Sequence, residues 1–160
     1  MRIELTVNSE TKYFRTSPDE KLLELLRRYG YMSVKKGCGE GTCGACTVIM
    51  DGSLVNSCLV FAPMAAGRSI VTVEGLGTVN DPHPYQEEFV KAGAVQCGFC
   101  TPGMILAVKS LLDQNPDPTD LDIRQALDGN LCRCTGYVKI LDAVKNIIAR
   151  EHEEARGGKA

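Results

Sequence analysis

The chain has 160 residues, 44% of them hydrophobic and 24% charged, with a formal net charge of -2. This is the composition of an ordinary folded chain of one or two small domains, and its scattered lysines and arginines form no basic stripe of the kind nucleic acid requires. No apolar run approaches the roughly 20 residues of a membrane-spanning helix, and the alternating start Met1-Arg2-Ile3-Glu4-Leu5-Thr6-Val7 lacks the apolar core of a secretory signal, so a cytoplasmic location is expected.

Ile3, Leu5 and Val7 alternate with polar neighbours, Asn8-Ser9-Glu10 is turn-prone, and Lys12 to Arg15 resumes extended character, which predicts a hairpin. A helix follows. Ser17 is placed to cap it, with Pro18 at the first helical position and Glu20 closing a capping box. Leu22, Leu23, Leu25 and Leu26 supply its buried face, and Gly30 ends it. Ala45 to Met50 reads as a strand, Asp51-Gly52 as a type I′ turn, and Ser53 to Cys58 as the returning strand. With a last strand over Ile70 to Val73, residues 1–76 make an α+β domain: a small mixed sheet carrying one helix.

Gly75-Leu76-Gly77 and Asp81-Pro82-His83-Pro84 punctuate the chain without periodicity, and the domain boundary is placed there. Beyond it the period is helical over Tyr85 to Ala92, Pro102 to Gln114, Asp120 to Leu127 and Tyr137 to His152. Four helices with short loops predict an all-α bundle domain over 77–152. The charged tail 153–160 is expected to be disordered.

The eight cysteines carry the chemistry. Cys38, Cys43, Cys46 and Cys58 follow the pattern C-x4-C-x2-C-x11-C, beginning with the run by which plant-type ferredoxins hold a [2Fe-2S] cluster. Gly37, Gly39, Gly41 and Gly44 permit the tight wrap and leave backbone N–H groups free to donate to sulfur. The Asp51-Gly52 hairpin returns Cys58 toward Cys46. Three other readings fit less well. Gly39 to Gly44 matches G-x-G-x-x-G, but it opens a β-branched segment instead of a helix. Zinc ribbons prefer short paired knuckles. Disulfides suit an exported chain.

Cys97, Cys100, Cys132 and Cys134 form the second set, C-x2-C-x31-C-x-C. Both pairs stand just before predicted helices, with Thr101 as the expected N-cap of one, where free N–H groups and the helix dipole favour an anionic group. By spacing alone this set also suits zinc, or a redox disulfide between Cys97 and Cys100. His83 and His152 are remote in sequence from either set and read as surface or boundary residues.

Together the two signatures, with Gln96-Cys97-Gly98-Phe99-Cys100-Thr101-Pro102-Gly103 and Cys132-Arg133-Cys134-Thr135-Gly136-Tyr137, resemble the small iron-sulfur subunit of the molybdenum hydroxylases, the xanthine oxidase family that includes carbon monoxide dehydrogenase. The resemblance covers nearly the whole chain and matches in order. It also accounts for the x11 interval before Cys58, which is shorter than in free plant-type ferredoxins. It implies a plant-ferredoxin-like (β-grasp) domain followed by a four-helix-bundle domain, and two [2Fe-2S] clusters held by the eight cysteines. It further implies an electron-transfer role with no substrate-converting residue in this chain. Molybdopterin is expected on a large catalytic subunit and FAD on a medium subunit, in a hetero-oligomer up to a dimer of heterotrimers. The resemblance makes Gln96 and the Cys134 region the candidate contacts with the pterin.

Overall fold

A computed structural model of the protein describes residues 1–157. Strands β1 (Arg2–Val7) and β2 (Glu10–Arg15) pair antiparallel in the register Ile3 to Phe14 and Leu5 to Lys12. Their turn places Asn8 and Ser9 at φ 51° and 68°, the doubly left-handed geometry that matches strand twist. The second hairpin joins β3 (Thr47–Met50) and β4 (Ser53–Asn56) through Asp51 and Gly52 at φ 48° and 82°, as the sequence predicts. Strand β5 (Ser69–Val71) lies between the hairpins, parallel to β1 and antiparallel to β3, giving the order β2-β1-β5-β3-β4.

Helix α1 (Leu22–Arg28) packs Leu22, Leu23, Leu25 and Leu26 into a core with Ile3, Leu5, Val7, Phe14, Val48 and Ile70. The expected capping box at Ser17 does not form: Lys21 is the N-cap and makes no side-chain cap. The reason is tertiary. Leu22 N–H donates to the Val60 carbonyl and Ala62 N–H to the Glu20 carbonyl, both at 2.8 Å, and Lys21 bridges antiparallel to Phe61. This small ladder holds residues 20–22 extended, overriding a weak local preference. The Glu20 carboxylate instead accepts from Thr16 Oγ1 and the Arg28 guanidinium, each at 2.8 Å.

After a 3₁₀ turn at Val73–Gly75 come α2 (Pro84–Lys91), α3 (Thr101–Gln114), α4 (Asp120–Leu127) and α5 (Val138–Gly157). They bury a second cluster that includes Phe89, Met104, Val108, Leu112, Ile123, Ile140, Val144 and Ile147. His83 proves to be the N-cap of α2, its ring Nδ1 accepting from Tyr85 N–H at 3.2 Å while Gln86 Oε1 accepts from His83 N–H at 2.8 Å. Thr119 and Asp122 close a like box on α4.

Two expectations are corrected here. Thr101 is the first residue of α3 and not its N-cap, a position held by Cys100. The tail does not lose order at Glu153, because α5 runs on through Gly157 with an Arg150–Glu154 pair at 2.9 Å on its surface. Extending an established helix needs only one more bond per residue. Residues 158–160 lie outside the described residues. Among the described residues, no helix is long and apolar enough to cross a membrane.

The two cores meet along α3, which lies against β3 and β4. Where β5 ends, the Asn8 side chain accepts from Thr72 N–H at 2.8 Å and donates to Thr72 Oγ1 at 2.9 Å. The Glu74 carboxylate accepts from Ser33 N–H at 2.8 Å and from the Ser33 hydroxyl, tying the crossing segment to the loop before the first cysteine set.

Candidate iron-sulfur sites

The loop from Gly37 to Cys46 folds its amides inward. Cys38 Sγ accepts from the N–H groups of Thr42 (3.3 Å), Cys43 (3.4 Å) and Glu40 (3.5 Å), and Cys43 Sγ accepts from Cys38 N–H at 3.4 Å. The amides of Glu40 and then Cys43 draw the Cys38 thiol down to about 6, so it is readily held as thiolate. Gly37 is bare where a Cβ would stand 2.6 Å from Cys43 Sγ. Cys58 arrives by the β3–β4 hairpin, Ser57 bonding the Cys46 carbonyl through its N–H (3.3 Å) and its hydroxyl (2.7 Å). Cys46 and Cys58 are buried; burial first, opposed by the Cys58 amide and reinforced by the Cys58 side chain, pushes Cys46 up to about 11. A thiol so placed becomes a ligand by giving its proton up to a metal's charge.

The second set gathers from three segments: Cys97 after α2, Cys100 at the start of α3, and Cys132 with Cys134 before α5. Cys134 Sγ lies 3.5 Å from Cys97 Sγ. The Phe99 amide, then Cys134, lower the Cys97 thiol, whereas burial, then Cys132, push Cys100 up to about 12. Against its own desolvation, Cys132 is held low by Thr135, whose hydroxyl lies 3.1 Å and whose N–H lies 3.4 Å from the sulfur. Tyr137 accepts the Cys132 N–H on its hydroxyl at 2.8 Å.

The first set is thus drawn together by amides between Cys38 and Cys43, and the second brings the Cys97 and Cys134 sulfurs side by side. Among the described residues no three His, Cys, Asp or Glu side chains converge on a point that a single ion would occupy. The donor chemistry of each set, four cysteines with backbone N–H groups on sulfur, fits a dinuclear cluster held by four thiolates. His83 is occupied as a cap, and His152 Nε2 lies 3.1 Å from the Pro116 carbonyl. Gln96 is exposed, next in the chain to Cys97. The two sets touch through the backbone, where Leu131 N–H donates to the Cys43 carbonyl at 2.9 Å. The sequence signalled the thiols but not Asn130, Leu131 or Thr135, whose roles arise from what folds against them.

Sheet, bundle and thiol loops define a protein of two [2Fe-2S] sites. Family models agree: residues 5–68 match a 2Fe-2S iron-sulfur cluster binding domain and residues 72–145 a [2Fe-2S] binding domain. The nicotinate dehydrogenase small FeS subunit of Eubacterium barkeri is 52% identical over 149 residues, 92% of this chain and 95% of that one. The xanthine dehydrogenase iron-sulfur-binding subunit of Escherichia coli O157:H7 is 46% identical over 89% of this chain and 91% of its own length. The crystal structure of quinoline 2-oxidoreductase from Pseudomonas putida 86 contains a chain 42% identical, superposing with a TM-score of 0.90 over 100% of this chain and 98% of that one. The chain belongs to the small iron-sulfur subunits of the molybdenum hydroxylases, and so is the [2Fe-2S] component of an oxidoreductase.

Proposed function

We propose that this chain relays electrons from a molybdopterin-containing catalytic subunit to a flavin-containing subunit of a cytoplasmic molybdenum hydroxylase. Two units share the work: residues 1–76, with Cys38, Cys43, Cys46 and Cys58 as ligands, and residues 77–152, with Cys97, Cys100, Cys132 and Cys134. A division into two units is supported by the two separate hydrophobic clusters, with Val73 and Leu76 at the end of the first stretch packing into the second core. Each [2Fe-2S] cluster, when bound, supplies a one-electron carrier.

The observation that carries this reading is the Leu131 N–H to Cys43 carbonyl bond at 2.9 Å. A ligand of one set is thereby joined to the residue beside a ligand of the other, Cys132, across one short hydrogen bond. The ends of this route are open as a relay requires. Cys97 and Cys134 are exposed at one set and Cys38 at the other. Exposed Gln96 and Cys134 suit contact with the pterin of the large subunit, and the Cys38 side is left to a medium, FAD-binding subunit. The assembly is a hetero-oligomer, up to a dimer of heterotrimers, whose relatives are described by their names as subunits.

Spin-quantified EPR of the anaerobically purified, dithionite-reduced chain tests this. Two distinct [2Fe-2S] signals, each near one electron spin, are expected. A single signal, or zinc in place of iron, would overturn it. Native size-exclusion tests the partnership, since a chain running persistently alone at 17.3 kDa would contradict it.

A further inference from the structure

We propose that Asn130 is a positioning residue that sets the separation between the two cysteine sets, an inference that rests on the relay reading above. Asn130 is 4% exposed, and its side-chain amide donates to the Gly44 carbonyl at 2.9 Å, across 86 residues of chain, and toward Thr47 Oγ1 at 3.4 Å. The Gly44 carbonyl collects two further donors, Thr47 Oγ1 at 2.7 Å and Thr47 N–H at 3.1 Å. Gly44 follows Cys43 directly, so the bond fixes the first cysteine loop.

The fit around this amide is close on two sides. A Cβ on Gly44 would stand 2.6 Å from Asn130 Nδ2, and a Cβ on Gly103, in the first turn of α3, would stand 2.6 Å from both Asn130 Nδ2 and the Gly44 carbonyl. One side chain therefore touches the loop after Cys43 and the turn after Cys100, while its own backbone leads through Leu131 to Cys132. The other side is fixed as well. Tyr137 Oη donates to the Asn130 carbonyl at 3.2 Å and accepts the Cys132 N–H at 2.8 Å, with Tyr137 held at φ 68°, a left-handed conformation that a tyrosine adopts only when its surroundings compel it.

The chemistry selects asparagine. Alanine would remove the donor that reaches the Gly44 carbonyl from the other unit and open a void, while the two Thr47 donors, local to the loop, would stay; aspartate would turn acceptor oxygens toward that carbonyl, so both remove the hydrogen bond that crosses the seam. The asparagine amide has the length to span the seam. With it in place, the adjoining Leu131 to Cys43 hydrogen bond keeps its length.

The test uses the full chain carrying both clusters, reduced with dithionite, and reads the magnetic interaction between the reduced clusters in low-temperature EPR. Dipolar coupling falls with the cube of distance, so it reports separation independently of activity. In Asn130→Asp both signals should remain at full spin count while the splitting shrinks and broadens, and Tyr137→Phe, which keeps its ring, should move it the same way by less. Unchanged splitting in both variants overturns the proposal. So does loss of the second signal alone, which would make Asn130 a support of one ligand loop. A parent chain lacking either signal would instead defeat the relay reading itself, before any variant is made.

Discussion

Replacing Gly44 by alanine tests the seam most directly. Gly44 has φ +68°, and a Cβ there would collide with the Gly129 carbonyl and reach 2.6 Å from Asn130 Nδ2. Gly30 also has a positive φ, +96°, but nothing lies within 4 Å of its Cβ position. Gly30→Ala therefore bears only the left-handed cost of about 1–2 kcal/mol. Gly44→Ala adds overpacking against backbone that cannot swing aside, about 1–3 kcal/mol more. For a chain of this size each kcal/mol shifts Tm by about 2–4 °C, so Gly44→Ala should melt about 2–12 °C below Gly30→Ala. Thermal unfolding would be followed by far-UV circular dichroism and, in parallel, by the visible absorbance of the clusters. Gly44→Ala should also bleach earlier, because the strain falls on the residue after Cys43. Equal melting temperatures for the two variants would refute the reasoning, since they would mean that the close approach of Gly44 to Asn130 carries no energetic weight.

Other expectations follow from the same geometry. Cys43→Ser should abolish one EPR signal and Cys100→Ser the other, because the sets are built by separate segments; loss of both from either change would contradict that independence. Thr135→Val removes a donor 3.1 Å from Cys132 Sγ and should lower the potential of the second cluster, with Thr135→Ser restoring it, as redox titration would record. Burial first, then Lys109 and Arg150 outweighing Glu151 and Asp113, hold His83 below its ordinary value. Its capping bond requires the neutral ring, so this stability is present above the unfolded value and lost as pH falls through the lower folded one. Tm should accordingly drop on acidification from neutrality and the His83→Asn variant should lose that part of the dependence, while His83→Ala should cost about 0.5–2 kcal/mol at pH above 7. Ile140→Ala, at a site 1% exposed, should destabilise by about 2–5 kcal/mol in the same melting assay.

Features made by neighbours in the chain were legible from the sequence. The Asp51-Gly52 I′ turn needs only residues that tolerate positive φ, the helical faces need only periodicity, and the thiol spacings by themselves mark out both sets. The expected start of α1 failed because Glu20 and Leu22 found backbone partners at Val60 and Ala62. The role of His83 was missed because a histidine at a cap gives no stronger local signal than one on a surface.

By itself, then, the sequence determined what the chain holds: eight thiols, glycines that let one loop fold around them, and an α+β unit followed by helices. Only the tertiary structure decided how the two sets stand to one another. That relation depends on β5 entering between the hairpins, on Gly103 lying against Gly44, and on Asn130 reaching a carbonyl 86 residues away. The physical reason is that such contacts form only once both cores are buried. Their partners are then chosen by packing and by the cost of leaving a buried amide unpaired, neither of which is written in local spacing.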